Sequence, residues 1–222
     1  MEALDDWIAT LGAGHPLLLA TVIAVLLGLR HAADPDHLAA LVPLVAAEDD
    51  RRVPRAARLG MIWGAGHGTA LIVFGVPIVL AARSLPESAR AACDLAVGAL
   101  IVAVSVRLLH RWRRGHLRAG HRGAASTPRS PLAAYGIGVV HGMGGSAGLG
   151  VLLLASSADT GLALVALVLF ASCAALSMSG MSAVFATVVG HRAGTIQRAA
   201  PVLALGGVAF GTSIVLAAAT AL

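Results

Sequence analysis

Four stretches of this chain, 59–82, 132–158, 160–189 and 199–222, contain no Asp, Glu, Lys or Arg. Each is long enough to cross the roughly 30 Å hydrocarbon core of a bilayer as a helix. Backbone in hydrocarbon must satisfy its own polar groups, and a helix does so within one segment. Two further hydrophobic elements run at 16–47 and 91–109, the second with Asp94 and Arg107 near its ends. Only 12% of the 222 residues are charged, where a soluble domain carries about 25%. The sequence therefore predicts an all-α polytopic membrane bundle of about six transmembrane helices. It forms a single integral membrane domain over 1–222, with no sizeable soluble domain.

The net charge of +5 comes from sixteen basic residues, all arginine. Twelve of them fall in three segments: Arg51, Arg52, Arg55 and Arg58; Arg111, Arg113, Arg114, Arg118, Arg122 and Arg129; and Arg192 and Arg198. In a six-span chain these segments share one side, while the opposite loops hold Arg83 and Arg90. The positive-inside rule puts the twelve in the cytoplasm and both termini outside it, in a cell (inner) membrane. Nucleic-acid binding is the weaker explanation of the charge. The first six residues carry Glu2, Asp5 and Asp6 and no basic residue, which argues against a cleaved signal peptide. Cys93 and Cys173 are isolated, so neither a thiol–disulfide oxidoreductase nor a thiolate-rich metal site is expected.

The first element holds the chemistry. Arg30-His31-Ala-Ala-Asp34-Pro35-Asp36-His37 interrupts its hydrophobic run, and each charge held at that depth costs roughly 2.5–3.5 kcal/mol. As one straight helix, 16–47 would run about 48 Å, too long for a crossing. Pro35 cannot continue a hydrogen-bond ladder but suits the first turn of a new helix, with Asp34 as its N-cap. The element is thus expected to be two half-helices meeting at His31–His37. Broken helices at membrane depth line cavities, and transporters use them as substrate sites. On a straight helix His31 and His37 would stand well apart, so the break is what lets both face one ion. The competing reading is a polar cytoplasmic loop between short helices.

His67 lies about eight residues into the second span and His141 about nine into the fourth, which gives both a depth of roughly 12–14 Å. Two intramembrane imidazoles at matched depth beside a histidine–aspartate run point to one shared site, with His31, Asp34, Asp36, His37, His67 and His141 as its candidate ligands. Arg30 is placed to neutralise the carboxylates. Nitrogen and oxygen donors suit nickel, cobalt, copper(II) or zinc and disfavour copper(I). Met143, Met178 and Met181 are expected to be packing residues. His110, His116 and His121 fall in a basic cytoplasmic loop, 110–130, that enforces topology. Gly144-Gly-Ser146-Ala-Gly148 fits the G-x-S-x-G pattern of serine hydrolases but lacks the strand–turn–helix setting that pattern needs. Glycines repeat every four residues at 60, 64 and 68, at 138 and 142, and at 207 and 211, a spacing that brings helices close. Gly28-Leu-Arg-His31 is echoed by Gly138-Val-Val-His141, which hints at a 3+3 inverted repeat.

The first run resembles the H-x4-D-H signature of the nickel–cobalt transporter family (NiCoT/NicO), in the form R-H-A-x-D-x-D-H. Gly66-His67-Gly68-Thr69 resembles that family's second motif, G-H-[SG]-T. The resemblance implies a multi-pass permease for Ni(II) or Co(II). His31, Asp36 and His37 would be its essential metal-recognition residues, His67 a further one, and Thr69 and Ser146 supporting residues. Larger members have eight spans. Six spans, and His141-Gly-Met-Gly-Gly-Ser146 in place of later acidic motifs, set this chain nearer the shorter urease-accessory-like membrane branch. No enzyme and no permanently bound cofactor are expected, since the metal is the transported substrate. Partners are the metal ion and the bilayer, with a homo-oligomer or a metallochaperone contact left open. The alternatives are a non-transporting metal donor or sensor and, more remotely, an intramembrane serine protease.

Overall fold

The computed structural model of the chain describes residues 16–46, 52–81, 86–115, 117, 130–144, 159–190 and 195–222. The regular structure among them is seven α-helices: α1 (Pro16–His31), α2 (Pro35–Ala46), α3 (Val53–Ala81), α4 (Glu87–Arg113), α5 (Pro131–Gly142), α6 (Thr160–Gly190) and α7 (Thr195–Ala219). Four of them, α3, α4, α6 and α7, are long and apolar enough to cross a membrane singly. The pair α1 and α2 bends by 47° at its break and makes a fifth crossing when taken as one. The chain is a multi-pass membrane protein. The expected span over 132–158 is represented by α5, whose 12 residues rise only about 18 Å; 145–158 lies outside the described residues.

Several helices extend past the hydrophobic limits read from sequence. α3 begins at Val53 rather than at 59, and α4 covers Glu87–Arg113 rather than 91–109. Hydropathy marks the lipid, not the helix. Pro54 suits a first turn, and arginines with long apolar stems are carried on helix ends into the interface. At the end of α4, His110, Arg111 and Arg113 also complement the helix dipole. The supposed loop 110–130 is therefore helical as far as Arg113.

Large side chains such as Leu26, Val73, Leu80, Val165, Leu176, Val202 and Leu216 stand exposed on the outer faces, as lipid contact requires. Small residues bring the helices together. On α3, Gly64 abuts Ala175 of α6 and Gly68 abuts Ala171; a Cβ on Gly64 would come within 2.7 Å of the Ala175 Cα. On α5, Gly138 lies against the Trp63 carbonyl, and a Cβ on Gly142 would fall 2.6 Å from the His67 carbonyl oxygen. α4 and α7 cross at Gly98 and Gly211, while α1 lies along α6 and α2 lies between α4 and α7. At the break, the amides of Ala33 and Asp34 bond to the carbonyls of Arg30 and His31. The Leu29 carbonyl thereby loses its helical donor, and the Ser177 hydroxyl of α6 donates to it at 2.5 Å.

Candidate metal centre

The break turns the end of α1 and the start of α2 into the same pocket. His31 is the last residue of α1, Asp34 sits in the break, and Asp36 and His37 occupy the first turn of α2. The ring centroids of His31 and His37 are 4.2 Å apart. His67, midway along α3, stands 5.0 Å from His31 and 4.9 Å from His37. His141, one residue before the end of α5, is 4.4 Å from His37 and 5.9 Å from His67. Four helices thus bring four imidazoles together. His37, His67 and His141 have no exposed surface, and Asp34 and Asp36 keep 6%.

Two carboxylate–histidine pairs set the orientation of the rings. His31 Nδ1 faces Asp34 Oδ2 at 3.3 Å, and His37 Nδ1 faces Asp36 Oδ1 at 3.1 Å. Each carboxylate accepts the Nδ1 proton, which leaves a lone pair on Nε2, the arrangement that metal-ligating histidines adopt. His37 Nε2 has no hydrogen-bond partner among the protein groups. His31 Nε2 meets His67 Nε2 at 2.9 Å, so His67 donates and its Nδ1 is left without a partner. Both ring nitrogens of His141 and Asp36 Oδ2 lack hydrogen-bond partners as well. Asp36 Oδ2 lies 3.8 Å from His141 Nε2. Ligand atoms each about 2.0–2.2 Å from a shared first-row ion lie at most about 4.4 Å apart, so an ion can bridge that gap.

The donors fall into two overlapping groups, His31–His37–His67 and Asp36–His37–His141, each with atoms within 4.8 Å of one another. Both contain His37. Asp34 is in neither; its two oxygens turn to Arg30, at 3.0 Å, and to His31. Its backbone carbonyl accepts from the Leu38 amide, as expected of a residue heading α2. Arg30 therefore neutralises Asp34 and does not touch Asp36 in any contact among the described residues. Thr69 is exposed and ties α3 to α5, donating to the Ala65 carbonyl and accepting from the Tyr135 hydroxyl. Ser146, the nucleophile of the protease alternative, lies outside the described residues, as do His116 and His121.

Two aromatic walls were not singled out from the sequence. Trp63 stacks 5.9 Å from His37 and 5.6 Å from His141, and Phe170 of α6 lies 5.2 Å from His31. The position of Trp63, one helical turn before His67, was a readable signal. Phe170 lies in a uniformly apolar helix and offered none.

No family model matches the chain, and no solved structure gives a significant match. Over 151 residues it is 27% identical to urease accessory protein UreH of Bacillus sp. (strain TB-90), a match that covers 64% of this chain and 65% of that protein. Over 89 residues it is 38% identical to the high-affinity nickel transport protein of Cupriavidus necator, covering 38% of this chain and 24% of that protein. The chain thus matches just under two thirds of the length of one relative and about a quarter of the other. It is a homologue of urease accessory protein UreH and of the high-affinity nickel transport protein.

Proposed function

We propose that this protein is a permease that carries a divalent transition-metal ion, Ni(II) or Co(II), across the cell membrane. The observation that carries the reading is the convergence of four buried imidazoles and Asp36, with ligating atoms of Asp36, His37, His67 and His141 left without hydrogen-bond partners. Each such atom costs about 1–3 kcal/mol when left alone, and coordination to an ion removes that cost. Similarity to a nickel transport protein supports the choice of metal. In the proposed mechanism a partly dehydrated ion is bound by one group and passed to the other, with His37 as the ligand common to both. The ligating form is neutral imidazole.

Contacts repeated in pairs support a 3+3 inverted repeat as the basis of alternating access. Exchanging α1 with α5, α3 with α6 and α4 with α7 carries Gly28-x-x-His31 onto Gly138-x-x-His141. It carries the stacking of His31 on Phe170 onto that of His141 on Trp63. It also carries the Gly64–Ala175 contact onto Gly68–Ala171, and Gly98–Val215 onto Gly211–Val102. The last pair sits in a repeated Gly-x-x-Ile-Val, at 98–102 and 211–215. Three crossings per half would relate the halves by inversion across the membrane. Six crossings in all, with the arginine-rich loops in the cytoplasm, complete the proposed topology.

The name of the UreH relative favours a second reading, in which the chain hands metal to a cytoplasmic maturation partner without moving it across the bilayer. Radioactive nickel flux into proteoliposomes separates the two. Under the permease reading the purified chain supports flux and His37→Ala abolishes it at equal protein abundance. Undiminished flux in that variant rejects the reading, and absence of flux from the unmodified chain with intact nickel binding favours the donor.

A further inference from the structure

Beyond their crossing at Gly98 and Gly211, α4 and α7 border an open cavity of about 490 Å³ that reaches Asp36 of the buried cluster. One wall is a single face of α4, made by Arg90, Ala91, Asp94 and Val97. The other is the apolar face of α7 from Phe210 to Ala218 with Ala221 just past its end, and Pro35 and Asp36 lie on the lining as well. Asp36 is more than nine-tenths buried and its Oδ2 has no hydrogen-bond partner. At the opposite end of the same helix pair, Gly207 of α7 packs against Ser105 of α4 and the Ala39 carbonyl of α2. The cavity is thus at the end where α2 and α4 begin and α7 ends.

We propose that this cavity is the vestibule by which a hydrated divalent cation reaches the histidine cluster, and that Asp94 binds the cation there before Asp36 does. At roughly 30 Å³ per water, the cavity has room for a divalent ion with its hydration shell. Among the described residues its walls are apolar apart from Arg90, Asp94 and Asp36, and the two carboxylates are what draws a cation toward it. A carboxylate in a cleft with low-dielectric walls raises the local cation concentration. Asp94 is placed for the transfer: a Cβ on Gly144 would lie 2.8 Å from its Oδ1, and Gly144 follows His141 by three residues. The group that faces the cavity is therefore Asp36–His37–His141, with His31–His37–His67 beyond it. This order of stations rests on the permease reading; the vestibule itself does not.

The test has two arms, both on the full chain. In proteoliposomes, Asp94→Asn should raise the KM for Ni(II) about three- to tenfold with kcat held within about twofold, and Asp94→Glu should restore the KM. An unchanged KM in Asp94→Asn, where His37→Ala has lost all flux, overturns the role of Asp94 and leaves the permease reading intact. The second arm needs no transport. With Cys93 and Cys173 replaced by Ser, Ala217→Cys on the cavity wall should react with a membrane-impermeant maleimide at least about tenfold faster than Val168→Cys on the lipid-facing side of α6. Ni(II) should slow that labelling with Asp94 present and fail to slow it in the Asp94→Asn variant. Equal reactivity of the two cysteines, or equal protection with and without Asp94, overturns the proposal even if the chain transports nothing.

Discussion

Asp34→Ala separates orientation of a ligand from ligation itself. Asp34 reaches His31 Nδ1 and Arg30 but belongs to neither group of candidate metal ligands. Its expected role is to hold one tautomer and one ring angle of His31. A carboxylate behind a ligating histidine is worth about 10–100-fold in metal affinity. The 3.3 Å separation is slightly beyond the usual 2.7–3.2 Å range of an N–H···O bond, so the lower end applies. Loss of Asp34 should weaken Ni(II) binding about tenfold, or about 1.4 kcal/mol. Asp34→Asn keeps a neutral acceptor in the same place and should recover affinity to within about threefold of the unmodified chain. Asp36→Ala differs in kind, because it removes both the His37 acceptor and the one carboxylate in the two groups; its loss should exceed about a hundredfold. Equilibrium binding of radioactive nickel to detergent-purified protein measures all three, with monodisperse elution as the check on folding. The reasoning is refuted if Asp34→Ala binds as tightly as the unmodified chain, or if a folded Asp34→Ala is as impaired as Asp36→Ala.

Two further predictions concern the scaffold, read as shifts in Tm in detergent. A Cβ at Gly138 would meet the Trp63 carbonyl and stand 2.9 Å from the His67 amide nitrogen. Gly138→Ala should therefore cost about 1–3 kcal/mol by forcing α5 from α3. Gly136, two residues earlier, has nothing within 4 Å of its Cβ position, and Gly136→Ala should be neutral or stabilise by up to about 1 kcal/mol; equal shifts would discredit the packing argument. Ser177→Ala removes the donor to the Leu29 carbonyl beside the helix break and should cost about 1 kcal/mol. An unchanged Tm would mean that the carbonyl finds another donor.

The crossing helices were legible because charge in hydrocarbon is costly, so its absence over 59–82, 160–189 and 199–222 marks lipid thickness directly. The break was legible for a different reason: Pro35 cannot donate a hydrogen bond, and Asp34 before it is a poor interior residue but a good helix head. Helix ends were not legible, since Arg55, Arg58, Arg90 and Arg111 continue their helices into the interface instead of ending them. The gathering of His31, His37, His67 and His141 followed from matched depth in neighbouring spans. The unequal roles of Asp34 and Asp36 did not. They depend on the 47° bend, which turns Asp34 back toward α1 and Asp36 into the pocket. Thr69 stands two residues after His67 in sequence, and on the helix its hydroxyl accepts from Tyr135 of α5.

Under the proposed inverted repeat, the pairing of the two halves is closest where helices touch and fails where the ion would sit. Trp63 corresponds to Phe170, both aromatic and both stacked on a histidine. Four residues on, His67 corresponds to Ala174, which is fully buried beside Gly28. There the backbones of α1 and α6 are in close contact, since a Cβ on Gly28 would stand 3.2 Å from the Ala174 nitrogen. The close contact of α1 with α6 thus falls at the position that, in the proposed repeat, matches the ligand on α3. The donors are gathered around α2 and α3, with His141 of α5 as what the proposed second half contributes. A binding site displaced in this way leaves Asp36 Oδ2, His37 Nε2, His67 Nδ1 and both nitrogens of His141 without protein partners. At about 1–3 kcal/mol each, their combined cost is comparable with the whole stability of an ordinary fold, about 5–15 kcal/mol. A bundle selected for stability alone would have filled those positions with Leu or Ala. Their retention is the physical argument that these side chains serve a cation and not the packing.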